Sequence, residues 1–225
     1  VVFAMLIGVA ILVCRAVNTA VGLFVLGWGV GVLSMQGGTV LDVLFGGIAP
    51  QTAAIETVLW TLPVLGAVWA LFRYGGVFAD GHAERPGLAS ALDSNALLAC
   101  LIAIVAVPVA WIVLRNPLKG QAIAAAVLGG LACGLFGRIW SPRTQPVLLV
   151  AAPIALLGVA QLVLATRVGD PIRAYVAGEY HRLLWMTPLD IVAGSLSGVA
   201  LGLGWARSFI RETHELAEAS LRRDS

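Results

Sequence analysis

Charged residues are scarce in this chain. They make up 12% of 225 residues, whereas 60% are hydrophobic and the mean hydropathy is +0.95. An ordinary soluble domain carries about a quarter charged residues. The scarcity therefore excludes that class and predicts an all-α polytopic integral membrane protein, a bundle of about six transmembrane helices in a lipid bilayer. The net charge is only +2 and the basic residues are scattered, so we expect no nucleic-acid partner.

The apolar segments also lack the side chains that bind common cofactors. Lys119 is the single lysine and lies in a turn, and all three histidines lie in loops or in the tail. A membrane haem needs axial ligands, usually histidines, inside the bundle. There is no HExxH motif, no CxxC and no carboxylate cluster typical of a metal site. The three cysteines lie in apolar runs, as buried thiols do. We therefore expect no cofactor, no metal and no catalytic residue.

Six apolar segments are long enough to cross a hydrocarbon core of about 30 Å. The predicted spans are one within residues 1–35 and then 52–72, 96–114, 121–140, 147–166 and 187–205. Residues 1–35 are interpreted as one span with a protruding turn, although their length leaves two spans open. Residues 40–45 and 167–186 are predicted to lie in the membrane surface. Residues 1–206 would form the bundle, and the charged residues 207–225 a cytoplasmic tail.

The last span begins with a helix-start signature and is expected to organise the bundle. Thr187 suits the N-cap, Pro188 the first helical position and Asp190 the third. The segment that follows is almost wholly apolar.

Glycines recur every fourth residue in two of the spans. Gly194, Gly198 and Gly202 share one face of the last span, and Gly130 and Gly134 share a face of the fourth. Small residues at this spacing let helix backbones approach closely in lipid, where hydrophobicity gives helices no reason to associate. We expect both faces to pack against other helices.

Five polar residues lie within or beside the spans: Arg15, Asn18, Glu56, Gln161 and Asp190. An ionisable group at membrane depth is a functional hypothesis by default, and together these residues would form an intramembrane polar pathway. Each also has a structural interpretation. Asp190 and Glu56 lie in first turns, Arg15 can extend to the headgroups, and the two amides can bond across helices. We predict that Arg15 pairs with Glu56 or Asp190 inside the bundle.

The distribution of basic residues predicts the orientation. With six spans both termini share a side, which collects eight arginines, against five basic residues on the other side. This bias places both termini in the cytoplasm. All basic residues except Lys119 are arginine, which together with abundant Ala, Gly, Val and Leu indicates a bacterial inner-membrane protein. The first residue is not Met and no basic n-region precedes the apolar run, so we expect a missing or processed natural N-terminus.

Three function classes fit the sequence. The first is an integral membrane subunit or scaffold of a larger complex, without catalytic chemistry and with other membrane proteins as partners. The second is a small transporter or channel that uses the polar pathway. The third is a lipid-modifying enzyme that uses polar loop residues, namely Asp80, His82, Glu84, Asp170 and His181.

Overall fold

The computed structural model describes residues 1–75, 100–141 and 146–223, with side chains described up to residue 209. Every regular element in these ranges is helical. The elements are α1 (Val2–Ala16), α2 (Thr19–Gln36), α3 (Val40–Phe45), α4 (Pro50–Tyr74), a 3-10 turn (Ala103–Val105), α5 (Ala106–Val113), α6 (Lys119–Trp140), α7 (Val147–Ala165), α8 (Pro171–Val176), a second 3-10 turn (Arg182–Trp185) and α9 (Pro188–Arg223).

Five of these helices are long and apolar enough to cross a membrane: α2, α4, α6, α7 and the part of α9 up to Phe209. Two shorter apolar helices, Val2–Ala16 and Cys100–Val113, accompany them. The chain is therefore a helical membrane bundle, and the predicted fold class is confirmed. Helix α9 continues from the bundle to Arg223, so most of the predicted charged tail is an extension of this helix.

Residues 1–35 form two antiparallel helices, so the single helix with a protruding turn expected here is wrong, although only α2 of the two is long enough to be a candidate span. The break lies at Val17, whose φ of −126° and ψ of −79° are not helical. Asn18 then caps α2 by accepting a hydrogen bond from the Val21 amide at 2.9 Å. A Cβ on Gly22 would lie 2.8 Å from the Ala10 carbonyl, and one on Gly29 would meet the side chain of Leu6. From Gly22 to Gly29 the contacts move back along α1 from Ala10 to Leu6, so the two helices run in opposite directions.

The bundle has two ends, which we name after one residue at each. The Asp190 end holds the last residues of α2, α5 and α7 and the first residues of α4, α6 and α9. The Arg15 end holds the last turns of α1, α4 and α6. Because α1 precedes α2 as an antiparallel neighbour, Val1 lies toward the Asp190 end, whereas α9 runs away from it.

Helix α9 is the axis of the bundle. In an apolar window of 18 residues of this helix, 78% of the residues are buried. The corresponding share is 33% to 50% in the other four long helices. Every residue from 191 to 200 is buried. It packs against α6, α2, α7 and α4. The other long helices therefore surround α9 and turn their outer faces to lipid.

Short helices cover the Asp190 end. Helix α3 starts with a capping box in which Asp42 accepts from the amide and hydroxyl of Thr39. Helix α8 and the turn at Arg182–Trp185 are separated near Gly178, whose φ of +74° favours glycine. Val40, Leu44, Ala165, Tyr180 and Leu184 form a small core beneath these elements.

Candidate functional site

The glycine face of α9 lies directly against the backbone of α6. A Cβ on Gly194 would be 2.8 Å from the Val127 nitrogen, one on Gly198 would be 2.8 Å from the Leu131 nitrogen, and one on Gly202 would be 2.7 Å from the Leu135 nitrogen. Each step of four residues along α9 meets a step of four along α6. The two helices therefore run parallel in close contact.

Helix α6 presents its own glycines to α9. A Cβ on Gly130 would lie 2.8 Å from the Ser195 oxygen, and one on Gly134 would lie 3.0 Å from the Val199 Cα. Backbone stands opposite backbone on both sides, so a side chain at these positions would separate the helices. The opposite face of α9 meets α2, where the Ser197 side chain touches Gly27.

Not every glycine near these helices is packed. A Cβ on Gly204 of α9 or on Gly66 of α4 would meet no heavy atom within 4 Å. Gly158 of α7 lies outside the repeat but is packed, because its Cβ would be 3.0 Å from the Val58 nitrogen. Gly204, two residues after Gly202, therefore does not take part in the contact with α6.

Asp190 is buried at the start of α9 and joins three helices. Its carboxylate accepts from the Thr187 amide at 3.0 Å, which completes the cap predicted from the sequence. It also accepts from the Ser34 hydroxyl at the end of α2 and lies 3.4 Å from the Lys119 Nζ at the start of α6. The carboxylate is 2% exposed and the ammonium 12%. A pair buried this deeply needs further hydrogen bonds to offset its desolvation, and these partners supply them.

Lys119 completes the same cluster. Its ammonium donates to the carbonyl oxygens of Gly37 and Gly38 at 3.0 and 2.7 Å. These are the first residues after α2, so the single lysine of the chain ties that helix end to α6.

Gln161 links α7, α4 and the turn before α9. Its side-chain oxygen accepts from the Thr57 hydroxyl at 3.1 Å, and its amide donates to the carbonyls of Leu183 and Met186 at 2.8 and 2.9 Å. The residue is 3% exposed. The amide is thus fully used in holding helices together.

Glu56 is exposed on the outer surface of α4. It accepts from the Trp60 indole at 3.3 Å and lies in a shallow groove with Phe3, Leu59 and Pro63.

Arg15 does not pair with a carboxylate as expected. Its Nε donates to the Tyr74 carbonyl at 2.9 Å, at the last residue of α4. Glu56 lies 18 residues earlier on that helix, a separation of about 27 Å at 1.5 Å per residue. Asp190 meets Ser34, which lies about 22 Å along α2 from its start near Arg15. The prediction of an Arg15 ion pair with either residue is therefore wrong.

The five polar residues do not converge. Arg15 and Asn18 lie at the Arg15 end, whereas Glu56, Gln161 and Asp190 lie toward the other end and contact different partners. Asn18 acts as the cap of α2. An intramembrane pathway through all five would need continuity between the two ends that these contacts do not supply.

Two of the polar loop residues act as helix caps. Asp170 accepts from the Arg173 amide at 3.1 Å, and the His181 ring accepts from the Leu183 amide at 3.3 Å. Burial and then the nearby Arg182 lower the pKa of His181 below its usual value, which favours the neutral accepting ring. Asp80, His82 and Glu84 lie outside the described residues. Within the described ranges, no three His, Cys, Asp or Glu side chains lie close enough to hold a metal ion.

Sequence reasoning missed the partners of these residues. Ser34, Thr57 and Lys119 are distant in sequence from the groups they contact, and no local pattern joins them. Comparisons with known protein families, curated proteins and solved structures found no match.

Proposed function

We propose that the chain is a non-catalytic subunit of a larger membrane complex, and that a transmembrane helix of another protein occupies the groove around Glu56. The observation that carries this proposal is the contrast between Glu56 and the other polar residues. Asp190, Gln161 and Asn18 contact other helices or cap a helix within the chain. Glu56 is exposed, and the hydrogen bond that it accepts among the described residues comes from Trp60 on its own helix.

The position of Glu56 argues for a partner. It lies six residues after Pro50, about 9 Å along α4. A carboxylate facing hydrocarbon is costly and tends to face protein or water. The groove walls, Phe3, Leu59 and Pro63, are apolar and suit a helix. We expect that helix to bring a hydrogen-bond donor or a basic group to Glu56.

We further propose a bacterial inner-membrane location with the Arg15 end in the cytoplasm. Arg15 contacts the end of α4, on the side to which the sequence assigns eight arginines. That side would then carry nine basic residues, and the opposite side five. The positive-inside rule then orients the bundle. Because of the α1–α2 hairpin, Val1 would lie toward the opposite side, which replaces the expectation that both termini are cytoplasmic.

Purification from the native membrane in mild detergent tests the subunit role. Tagged wild-type protein is compared with Glu56→Leu and with Leu62→Ala, an exposed residue of α4 that does not line the groove. We expect one defined complex from the wild type and from Leu62→Ala, and its loss from Glu56→Leu.

Two results would contradict the proposal. A complex that survives Glu56→Leu would show that the partner binds elsewhere. A wild-type protein that is solitary and stable in mild detergent would remove the subunit role and favour the transporter or lipid-modifying class.

A further inference from the structure

Two exposed arginines lie beside Tyr74 at the Arg15 end of the bundle. Arg15 lies in the last turn of α1, and Arg73 lies in the last turn of α4. Both contact Tyr74: the Arg15 Nε donates to its carbonyl at 2.9 Å, and the Arg73 Cζ lies 5.9 Å from its ring centroid. Two guanidinium groups therefore share one aromatic residue at the edge of the spans.

The two helix ends that carry these arginines are in direct contact. A Cβ on the buried Gly75 would lie 3.0 Å from the Cys14 Sγ, so there is no room for a side chain between them. The Tyr74 ring also makes an edge contact with Trp69, with centroids 6.4 Å apart. The two helix ends that carry the arginines are thus held together by close backbone packing, and the Tyr74 ring between them is supported by an edge contact.

Within the described residues, the guanidinium groups keep donors available for a ligand. A guanidinium has five N–H donors, and the Tyr74 carbonyl uses the one on Nε of Arg15. Among the described side chains, the Lys119–Asp190 ion pair lies at the other end and involves neither arginine. Arginine forks match phosphate oxygens in a bidentate manner. The pair is therefore suited to an anion that bears a phosphate.

The location of the pair identifies the source of the phosphate. The arginines stand at the end of α1, one of the shorter apolar helices, and at the end of the candidate span α4, beside Tyr74 and Trp69. Aromatic residues mark the headgroup level of a membrane protein. With the Arg15 end in the cytoplasm, on which this inference rests, basic groups between helices are placed to recognise anionic lipid headgroups. We propose that Arg15 and Arg73 bind the phosphate of an anionic phospholipid. This site is separate from the Glu56 groove and does not depend on the subunit role.

Native mass spectrometry of the purified full chain tests the site. The protein is titrated with phosphatidylglycerol, with phosphatidylcholine and with inorganic phosphate. The test variant is Arg15→Gln with Arg73→Gln, and the matched control is Arg167→Gln with Arg173→Gln, two exposed arginines at the Asp190 end. An arginine near an anionic surface contributes about 1 kcal/mol, which corresponds to about fivefold in affinity.

We expect the wild type to prefer phosphatidylglycerol, and the test variant to lose about 25-fold in affinity for it, fivefold for each arginine. The control should change less than about twofold, and inorganic phosphate should not compete at equal concentration. If the double variant is unstable, Arg73→Gln alone carries the test, because within the described residues Arg73 contacts the ring of Tyr74 and ties no helices together.

Three results would overturn the proposal. One is equal affinity of the wild type for the two lipids. Another is an equal loss in the test and control variants, which would indicate general surface charge. The third is displacement of the lipid by an equal concentration of inorganic phosphate, which would indicate a free-anion site.

Discussion

Helices α9 and α4 both cross the bundle, yet they are buried very differently. The most apolar window of α9 is 78% buried at a hydropathy of 1.4, whereas that of α4 is 33% buried at a hydropathy of 1.7. The more buried helix is thus the less hydrophobic one. Lipid is as apolar as a protein interior, so hydrophobicity does not draw a helix to the centre. Small residues place a helix at the centre of the bundle, because they allow its backbone to contact the backbones of its neighbours closely.

Their acidic residues differ in the same way. Asp190 at the start of α9 has partners on α2 and α6, whereas Glu56 near the start of α4 faces outward. Asp190 lies in the first turn of α9, where a carboxylate is favoured by the helix dipole. Glu56 is the seventh residue of α4, so the expectation that it lies in a first turn is wrong.

The largest expected effect separates these two carboxylates. Asp190→Ala should lower the free energy of unfolding by about 3 kcal/mol, because it leaves a nearly buried Lys119 without its counter-ion. Glu56→Ala should change it by less than about 0.5 kcal/mol, since the side chain is exposed. Unfolding in detergent, followed by circular dichroism, measures both. Equal losses would remove the distinction between the two residues.

The next effect tests the glycine face. Gly198→Leu should cost about 1–3 kcal/mol, because the new side chain meets the α6 backbone and holds the helices apart. Gly204→Leu on the same helix and Gly66→Leu on α4 have open space and should cost almost nothing. Thermal unfolding in one detergent compares the three variants. A Gly198→Leu protein as stable as Gly204→Leu would mean that the repeat does not hold the helices together.

A smaller effect is expected where α4 joins the bundle. Gln161→Leu should cost about 1–2 kcal/mol, since hydrogen bonds between membrane helices contribute roughly 0.6 kcal/mol each and at most about 1.7. The Thr57 hydroxyl keeps the Ala53 carbonyl at 3.0 Å, but the carbonyls of Leu183 and Met186 lose their donor.

Val163→Ala, at an exposed position of α7, is the control for Gln161→Leu and should change stability by less than about 0.5 kcal/mol. Thermal unfolding in the same detergent measures both variants. A loss no greater than that of the control would show that the amide does not hold α4.

Much of the fold could be predicted from local patterns. The segment lengths indicated the membrane helices, and the Thr187-Pro188-Asp190 signature indicated where α9 begins. Both depend on neighbouring residues alone. The hairpin of α1 and α2 was missed, although Asn18 followed by Thr19 is a helix-start signal. Residues 1–35 are almost continuously apolar, and this high hydropathy favoured a single span over the helix start indicated by Asn18.

The polar contacts were less predictable because they join distant parts of the chain. Lys119 and Asp190 are 71 positions apart, and Arg15 and Tyr74 are 59 apart. Charge alone suggested that Arg15 would pair with a carboxylate. The helix packing instead brings a carbonyl at the end of α4 within its reach.

The most direct test of the central place of α9 is a disulfide between α9 and α2. A Cβ on Gly31 would lie 3.8 Å from the Cβ of Ala193, the mean separation in a disulfide. In a background with Cys14, Cys100 and Cys133 replaced by alanine, Gly31→Cys with Ala193→Cys should form an intramolecular disulfide on mild oxidation in the membrane. Gly66→Cys with Ala193→Cys should not. Absence of the first disulfide, or equal formation of both, would contradict the placement of α9 against α2 at the centre of the bundle.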